Sequence, residues 1–288
     1  MFTKNETLED AIARNINDAL FEDIGKCDWT AQLIPATQQA QAKLIVRESA
    51  VLCGSAWFNR VLHTLDPKGQ IRWLYTEGAW MTPNSVVCEI HANARALLSA
   101  ERPAMNFLQT LSATATITRH YVDAIAGASP NPKGCAILDT RKTIPGLRQA
   151  QKYAVRIGNG QNQRMALWDG ILIKENHIAA AGGIKAVLDS AFALNAGVDI
   201  QIEVETISQL REALDCGAKN ILLDNFNLDQ MREAVSITNG RSLLEASGGI
   251  SKDQLRAIAA TGVDRISIGK LTKDIVAIDY SMRIVSLN

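Results

Sequence analysis

Residues 200–224 read IQIEVETISQLREALDCGAKNILLD, and they combine two kinds of apolar spacing. Ile200–Val204 and Ile221–Leu223 are short apolar runs, each of a length typical of one strand. Between them, Ser208–Cys216 carries apolar residues at the spacing of an amphipathic helix. A strand, a helix and a second strand in this order predict one parallel βαβ unit.

The same alternation extends on both sides of this segment. Further strand-like runs lie at Cys135–Leu138, Ile171–Ile173, Leu243–Ala246 and Arg265–Ile268. Helical patterns lie at Ile184–Asn195, Leu228–Thr238 and Ser251–Thr261. Repeated βαβ units with short strands predict an α/β fold whose strands are parallel, as they are in a (β/α) barrel.

Residues 1–115 show a different pattern, which is typical of a small α+β domain. Strands are predicted there at Ala42–Arg47, Ile71–Tyr75 and Val86–His91, and helices at Thr7–Phe21 and Val51–Leu65. Arg95–Ala126 is helical in composition but contains Pro103, which predicts either a kinked helix or two separate helices.

The composition limits the classes of function. The 288 residues include 30 basic and 30 acidic ones, so the neutral chain lacks the basic domain that broad nucleic-acid binding requires. Its five cysteines are widely spaced and form no Cys-x-x-Cys pair, which predicts reduced thiols and no zinc site. No signal peptide is recognisable, and no apolar run approaches the ~20 residues of a membrane span. We therefore expect a soluble cytoplasmic protein.

The charges are unevenly distributed. Asp139–His177 holds seven basic residues against three acidic ones, which on a neutral chain indicates a site for an anion. The alternative is a solvated face with ordinary salt bridges. Thr140-Arg141-Lys142 and Lys174 each follow an apolar run, and the carboxyl ends of the strands carry the active site in barrels of this type.

Two acids occupy equivalent positions on the next strands. Glu203 and Asp224 stand at the carboxyl ends of their apolar runs. Beside phosphates, two such carboxylates could bind Mg²⁺ through its waters. Alternatively, each could form an ion pair with Arg141 or Lys174, and Glu205 competes with Glu203 for the same role.

Small residues follow the last two strands. Ser247-Gly248-Gly249 precedes the predicted helix at Ser251, and Ser267-Ile268-Gly269 precedes Lys270. Backbone N–H groups at such positions can bind phosphate, and the loops after the last two strands often do so in barrels. His177, three residues after Lys174, could be either a site contact or a structural hydrogen-bond partner.

Together, these motifs resemble the quinolinate phosphoribosyltransferase family. The matching segments are AERPAMNFLQTLS at 100–112, DTRKTIPGLR at 139–148, IGNGQNQR at 157–164, LIKENH at 172–177, EVE at 203–205, LLDN at 222–225 and SGG at 247–249. Their order and spacing follow that family over nearly the whole chain. The pair of DTRKTxPGLR with LIKENH is the most specific part of the resemblance.

The resemblance implies transfer of phosphoribose from phosphoribosyl pyrophosphate to the ring nitrogen of quinolinate, with loss of the 2-carboxylate. The products would be nicotinate mononucleotide, pyrophosphate and CO₂, in NAD biosynthesis. It also implies an N-terminal α/β sandwich domain at residues 1–115, to which residues 273–288 return, packed on an incomplete (β/α) barrel at residues 116–272. The expected assembly is a homodimer, or a higher oligomer, in which Arg102 completes the partner's site.

The resemblance further implies the roles of individual residues. Lys142, Lys174, Glu203 and Asp224 are the expected catalytic residues, and Glu203 and Asp224 are also the expected Mg²⁺ ligands. The expected substrate-binding residues are Arg102, Thr140, Arg141, Arg164, Lys174, His177, Ser247, Gly248, Gly249, Ser267, Ile268 and Gly269.

The chain departs from the family at two positions. Where the family usually has Gly-Gly-Gly and Asn-His-Arg, this sequence has Gly158-Asn159-Gly160 and Asn162-Gln163-Arg164. Glutamine can donate a hydrogen bond to a carboxylate but cannot carry charge, so we expect altered affinity rather than loss of activity. Asn159 is expected to adopt a positive φ.

Two alternative functions stay open at this point. One is a related enzyme that acts on another ring carboxylate, including the molybdenum-associated branch of this fold. The other is a non-catalytic phosphosugar-binding protein. The set of Arg102, Arg141, Arg164 and Lys174 favours a dicarboxylate over a monocarboxylate, because arginine and lysine bind carboxylates through charge-assisted hydrogen bonds.

Overall fold

A computed structural model describes residues 4–287, which form two compact units. The first unit contains the chain up to Arg119, Thr143–Asn159 and the chain from Leu271 onward. The second contains His120–Lys142 and Gly160–Lys270. The chain therefore leaves the second unit after Lys142 and re-enters it at Gly160. The predicted segments 1–115 and 116–272 contain no such excursion.

The first unit is built on a four-stranded antiparallel sheet. Its strands are β1 (Gln39–Val46), β3 (Gln70–Trp73), β5 (Val86–Asn93) and β12 (Tyr280–Leu287), in the order β12-β1-β5-β3, and β2 (Ala50–Val51) pairs separately with β4 (Trp80–Met81). Alternate residues of β1, from Ala40 to Val46, are buried in the core, as expected for a sheet with one covered face. The C-terminal strand β12 thus returns to the sheet of the first unit.

This unit contains α1 (Leu8–Ile24), α2 (Ser55–Leu65), α4 (Arg148–Ile157) and α3 (Ala94–Ile125) as far as Arg119. Thr7 caps α1 together with Asp10, and Gly25 ends it at φ +52°. A single helix of 32 residues carries Pro103 inside its span, so of the two predicted alternatives the structure has the one continuous helix.

The Gly158-Asn159 pair ends α4 for structural reasons. A Cβ atom at Gly158 would lie 2.5 Å from the Ala115 carbonyl oxygen and 2.7 Å from the Thr118 Cβ, both on α3. Only a residue without a side chain permits this approach of the two helices. Asn159 follows at φ +67°, which confirms the predicted left-handed conformation.

The second unit is built on a six-stranded parallel sheet. Its strands are β6 (Ala136–Leu138), β7 (Gly170–Ile173), β8 (Asp199–Val204), β9 (Asn220–Asp224), β10 (Leu243–Ser247) and β11 (Arg265–Ser267), in the order β6-β11-β10-β9-β8-β7. Its helices are α5 (Glu175–Ala181), α6 (Ile184–Ala193), α7 (Ile207–Asp215), α8 (Leu228–Thr238), α9 (Leu255–Ala259) and the start of α10 (Lys270–Lys273). The predicted helix at Ser251–Thr261 is shorter than expected, because its first turn is the 3-10 turn Lys252–Gln254.

A closing segment, Gln161–Arg164, links the two edges of this sheet. Gln161 pairs with Leu138 of β6, and Arg164 Nη1 donates a hydrogen bond of 2.8 Å to the carbonyl oxygen of Gly170 on β7. Within the segment, Gln163 Nε2 donates to Gln201 Oε1 on β8 at 2.8 Å. In a flat sheet β6 and β8 would be about 19 Å apart, so these contacts require a curved sheet. The arrangement confirms the predicted incomplete (β/α) barrel.

Two further sequence expectations can be compared with the described residues. All five cysteines are free thiols. Within residues 4–287, no helix combines the length and apolar character that a membrane crossing demands.

The close approach at Gly158 gives a prediction about stability. Gly158→Ala should lower the free energy of unfolding by about 2–3 kcal/mol, because the added methyl group must displace the backbone of α3. As a control, Gly25→Ala also adds a methyl group, but nothing lies within 4 Å and only the positive φ is unfavourable. That control should cost about 1 kcal/mol. Urea denaturation measures both, and equal losses would contradict the steric argument.

Candidate active site at the carboxyl ends of the barrel strands

Four predicted site residues stand at the same edge of the parallel sheet. Lys174 directly follows β7, Glu203 is the penultimate residue of β8, and Asp224 ends β9. Ser247 ends β10 and is the register partner of Asp224. Because all six strands run in one direction, their carboxyl ends share one edge, which is the functional edge of such folds.

An ion pair joins the first two of these residues. Lys174 Nζ lies 2.6 Å from Glu203 Oε2, and the Glu203 side chain is only 10% exposed. Burial raises the pKa of the Glu203 carboxyl above its ordinary value, and the charge of Asp224 contributes in the same direction, whereas Lys174 opposes both. Glu205 lies beyond the end of β8 and is exposed, so Glu203 is the carboxylate that faces Lys174.

His177 has a structural contact in the first turn of α5. Its Nδ1 accepts a hydrogen bond of 3.0 Å from the backbone N–H of Lys174. This bond satisfies a backbone donor at the helix N-terminus, where no intrahelical partner exists. His177 therefore helps to fix the backbone from which the Lys174 side chain extends.

The turn after β9 is packed against the glycine pair after β10. Asn225 adopts φ +56°, and its backbone N–H donates to the Ser247 carbonyl oxygen at 3.0 Å. Its side-chain amide donates to Asp224 Oδ2 at 2.9 Å. A Cβ atom at Gly248 would lie 2.1 Å from Asn225 Oδ1, so packing alone already requires glycine there.

The residues after β11 are partly used by the sheet itself. Ser267 and Ile268 are buried, and the backbone N–H of Ile268 donates to the Leu138 carbonyl oxygen at 2.8 Å. Ile268 thus ties β11 to β6. Gly269 follows at the start of α10 and is half-buried.

Arg141, in the turn after β6, is close enough to Arg164 for their charges to interact. Thr140 Oγ1 accepts a hydrogen bond of 3.1 Å from the Lys142 backbone, which forms a tight turn around Arg141. Burial lowers the pKa of Arg164, and the positive charge of Arg141 lowers it further. Two partly buried like charges repel each other, and a bound anion would relieve that repulsion.

Arg164 lies toward the opposite ends of the strands from Lys174. Besides its bond to Gly170, it lines a cavity of about 320 Å³ whose other walls include Asp199 and Asn220, the first residues of β8 and β9. The structure therefore forms two cationic groups: Arg141 is coupled to Arg164, and Lys174 is paired with Glu203.

Buried polar residues that the sequence did not indicate support the closing segment. Gln201 and Glu245 lie on the same inward face as Glu203, and Gln201 Nε2 donates to Glu245 Oε2 at 2.9 Å. Asp139 is fully buried and accepts hydrogen bonds from both Asn162 and Gln163. A single polar residue in an apolar run gives no signal of this kind in the sequence.

Three cations of the Asp139–His177 stretch belong to the first unit, as does Arg102, which lies outside that stretch. Arg102 is on α3, exposed, and donates to Glu101 at 3.3 Å. Arg148, Lys152 and Arg156 are on α4, and Lys152 is fully buried. The positive charge of Asp139–His177 is therefore divided between the two units.

Metal binding would depend on few protein ligands. Across residues 4–287, no group of three or more His, Cys, Asp or Glu side chains could hold a metal ion. Mg²⁺ keeps several waters and is commonly bound by one or two carboxylates together with substrate phosphates. Glu203 and Asp224, which are close enough to interact electrostatically, fit that mode of binding.

The Lys174–Glu203 pair gives a second stability prediction. Lys174→Met should reduce the free energy of unfolding by about 1–3 kcal/mol, because a buried carboxylate loses its cation. The double variant Lys174→Met/Glu203→Gln should recover much of that loss. Lys185→Met, which breaks the exposed pair with Asp189, is the matched control and should change stability by less than about 0.5 kcal/mol. A Lys174→Met protein as stable as the control would exclude a stabilising role for the pair.

Comparisons with known proteins cover almost the whole chain. The family models "Quinolinate phosphoribosyl transferase, N-terminal domain" and "C-terminal domain" match residues 28–112 and 114–283. A "Probable nicotinate-nucleotide pyrophosphorylase [carboxylating]" of Bacillus subtilis (strain 168) is 39% identical over 95% of this chain and 93% of its own length. A protein of the same name from Synechocystis is 38% identical over 92% of this chain and 90% of its own length. The solved nicotinate-nucleotide pyrophosphorylase of Francisella tularensis superposes with a TM-score of 0.91 and 41% identity, covering 98% of this chain and 100% of that one.

Proposed function

The chain belongs to the quinolinate phosphoribosyltransferase family, and from that membership we propose that it converts quinolinate and phosphoribosyl pyrophosphate to nicotinate mononucleotide, pyrophosphate and CO₂. It is thus a decarboxylating phosphoribosyltransferase of NAD biosynthesis. The structural observation that supports this proposal most is the position of four predicted site residues along one edge of the barrel: Lys174, Glu203, Asp224 and Ser247.

Quinolinate would be held by its two carboxylates. Arg141 and Arg164 supply a coupled pair of guanidinium groups, which suit planar recognition of a carboxylate. Lys174 belongs to the other cationic group, at the carboxyl ends of the strands, so it would approach the bound diacid from that side. Binding of the diacid at the two arginines would also remove the repulsion between their charges. The relief of that repulsion would add to the affinity for the diacid.

The donor would bind beside the acids. Lys142, exposed on the turn that Thr140 stabilises, would face the pyrophosphate, and Glu203 and Asp224 would hold Mg²⁺ with the donor's phosphates. When bound, the ion would neutralise charge on the departing pyrophosphate. The glycines of 247–249 and 267–269 would approach the 5-phosphate through their backbone.

The reaction then needs no protein nucleophile. The ring nitrogen forms a bond to the anomeric carbon while the bond from that carbon to pyrophosphate breaks, and the bonding electrons leave with pyrophosphate. The bond between ring carbon 2 and its carboxylate then breaks, CO₂ leaves, and the electron pair on carbon 2 takes a proton. Fixed cations stabilise the departing anion without reorganisation, which is how such a site would lower the barrier.

Two further features of the enzyme are also proposed. We place it in the cytoplasm, where the five free thiols would stay reduced. We also propose a homodimer in which Arg102 completes the site of the partner subunit. The exposed position of Arg102 on α3 leaves its guanidinium accessible to another chain.

The activity itself is directly measurable. Purified protein with quinolinate, phosphoribosyl pyrophosphate and Mg²⁺ should produce nicotinate mononucleotide, pyrophosphate and CO₂ in equal amounts, followed by ¹H and ³¹P NMR. Nicotinate and orotate should not replace quinolinate, and EDTA should stop the reaction. Binding of the donor without release of pyrophosphate would instead identify a non-catalytic phosphosugar-binding protein. Turnover of another ring acid alone would identify a different transferase.

The role of Arg102 can be tested with mixed dimers. Arg102→Leu and Lys174→Leu should each be nearly inactive alone, whereas co-expression should restore about a quarter of the wild-type activity, because one site in each hybrid dimer is then complete. Size-exclusion chromatography with light scattering checks that dimers form. An active Arg102→Leu protein, or a mixture as inactive as its components, would rule out completion of the site by the partner.

A further inference from the structure

Gln163 lies in the closing segment, and its side chain is hydrogen-bonded to an inward-facing residue of β8. Its Nε2 donates to Gln201 Oε1 at 2.8 Å, and Gln201 Nε2 in turn donates to Glu245 Oε2 at 2.9 Å. Gln201 is 7% exposed and Glu245 is 1% exposed. The three side chains form a hydrogen-bonded relay, Gln163–Gln201–Glu245, that runs from the closing segment to β10 and is buried at Gln201 and Glu245.

The relay has a fixed hydrogen-bond direction. The oxygen of Glu245 accepts, so the Gln201 amide presents its NH₂ group to Glu245 and its carbonyl oxygen to Gln163. Gln163 must then present its own NH₂ group to Gln201, because a glutamine amide has one donor end and one acceptor end. The buried acid thereby determines how the Gln163 side chain is oriented.

The bond to Gln201 is one of the contacts that hold the closing segment in place. Backbone pairing with β6 is made through Gln161. Asn162 and Gln163 donate to Asp139, Gln163 donates to Gln201, and Arg164 donates to Gly170. Because Gln163 and Arg164 are adjacent, loss of the bond to Gln201 would allow Arg164 to move.

We propose that Gln201 is a positioning residue for the dicarboxylate substrate: through Gln163 it fixes the closing segment, and with it the guanidinium of Arg164 beside Arg141. The inference rests on the proposed function, because it assigns Arg164 to quinolinate. It gives Gln163 a different role from direct recognition of a carboxylate. In this chain the uncharged Gln163 orients the neighbouring Arg164, and the arginines bind the carboxylates.

The test compares substrate-specific kinetics with stability. Gln201→Leu should raise the KM and the Kd for quinolinate about tenfold, the scale expected when one positioning hydrogen bond is lost. The KM for phosphoribosyl pyrophosphate and kcat should stay within about twofold. Gln163→Leu removes the same bond from the closing segment and should give the same shift. The double variant should be no worse than either single variant, because both remove one interaction.

Ser242→Ala is the matched control. It deletes a buried hydrogen bond in the same unit, which Ser242 Oγ donates to the Ala218 carbonyl oxygen. That bond is far from the closing segment in sequence. The variant should lower the unfolding midpoint without changing the KM for quinolinate. The proposal is overturned if Gln201→Leu behaves like this control, if both substrate KM values rise together, or if the effects at 163 and 201 simply add. A wild-type protein that neither binds nor turns over quinolinate would instead contradict the proposed function. Should Gln201→Leu not fold, Gln163→Leu alone decides the same question.

Discussion

The fully buried carboxylate of Asp139 accepts hydrogen bonds on both oxygens from the closing segment, at 2.5 Å from Asn162 Nδ2 and at 3.0 Å from the Gln163 backbone. A six-stranded parallel sheet has two open edges, and β6 and β7 would each expose unsatisfied backbone groups there. The Asp139 contacts hold the closing segment against β6, and Arg164 reaches the β7 edge from the same segment. The contacts that close the barrel therefore also determine where Arg164 lies, the cation that we propose binds the substrate.

Within the second unit, alternation along the strands separates packing from chemistry. On β8, Ile202 and Val204 are buried on one face, while Gln201 and Glu203 point to the other. The inward face thus carries a polar layer beneath the strand ends, and the polar groups of that layer are hydrogen-bonded or ion-paired. Arg141 and Arg164 differ in one respect, because their like charges repel each other. A bound anion would relieve that repulsion, which is why the pair suits the proposed substrate.

The sequence predicted the strands of the barrel well, because short apolar runs alternated with helical patterns, and the end of each run located Lys174, Glu203 and Asp224. It could not locate α4 in the first unit. In the sequence, the charges of Arg148 and Arg156 indicate part of an anion site. In the structure their helix belongs to the first unit, where the following Gly158 packs closely against α3, a helix far from it in sequence. The relay through Gln201 and Glu245 was equally invisible. Hydrogen bonds between distant strands leave no periodic signal.

Glycine motifs illustrate why a matched motif does not by itself identify a ligand contact. In the pair after β10, Gly248 is required by Asn225, whose side-chain oxygen occupies the space of a Cβ atom, so no phosphate is needed to explain it. Gly249 differs, because nothing lies within 4 Å of its Cβ position and only its φ of +54° disfavours a side chain. Its backbone is thus the one open to an approaching group. If a phosphate binds at this turn, the glycine that admits it is Gly249, while Gly248 maintains the shape of the turn.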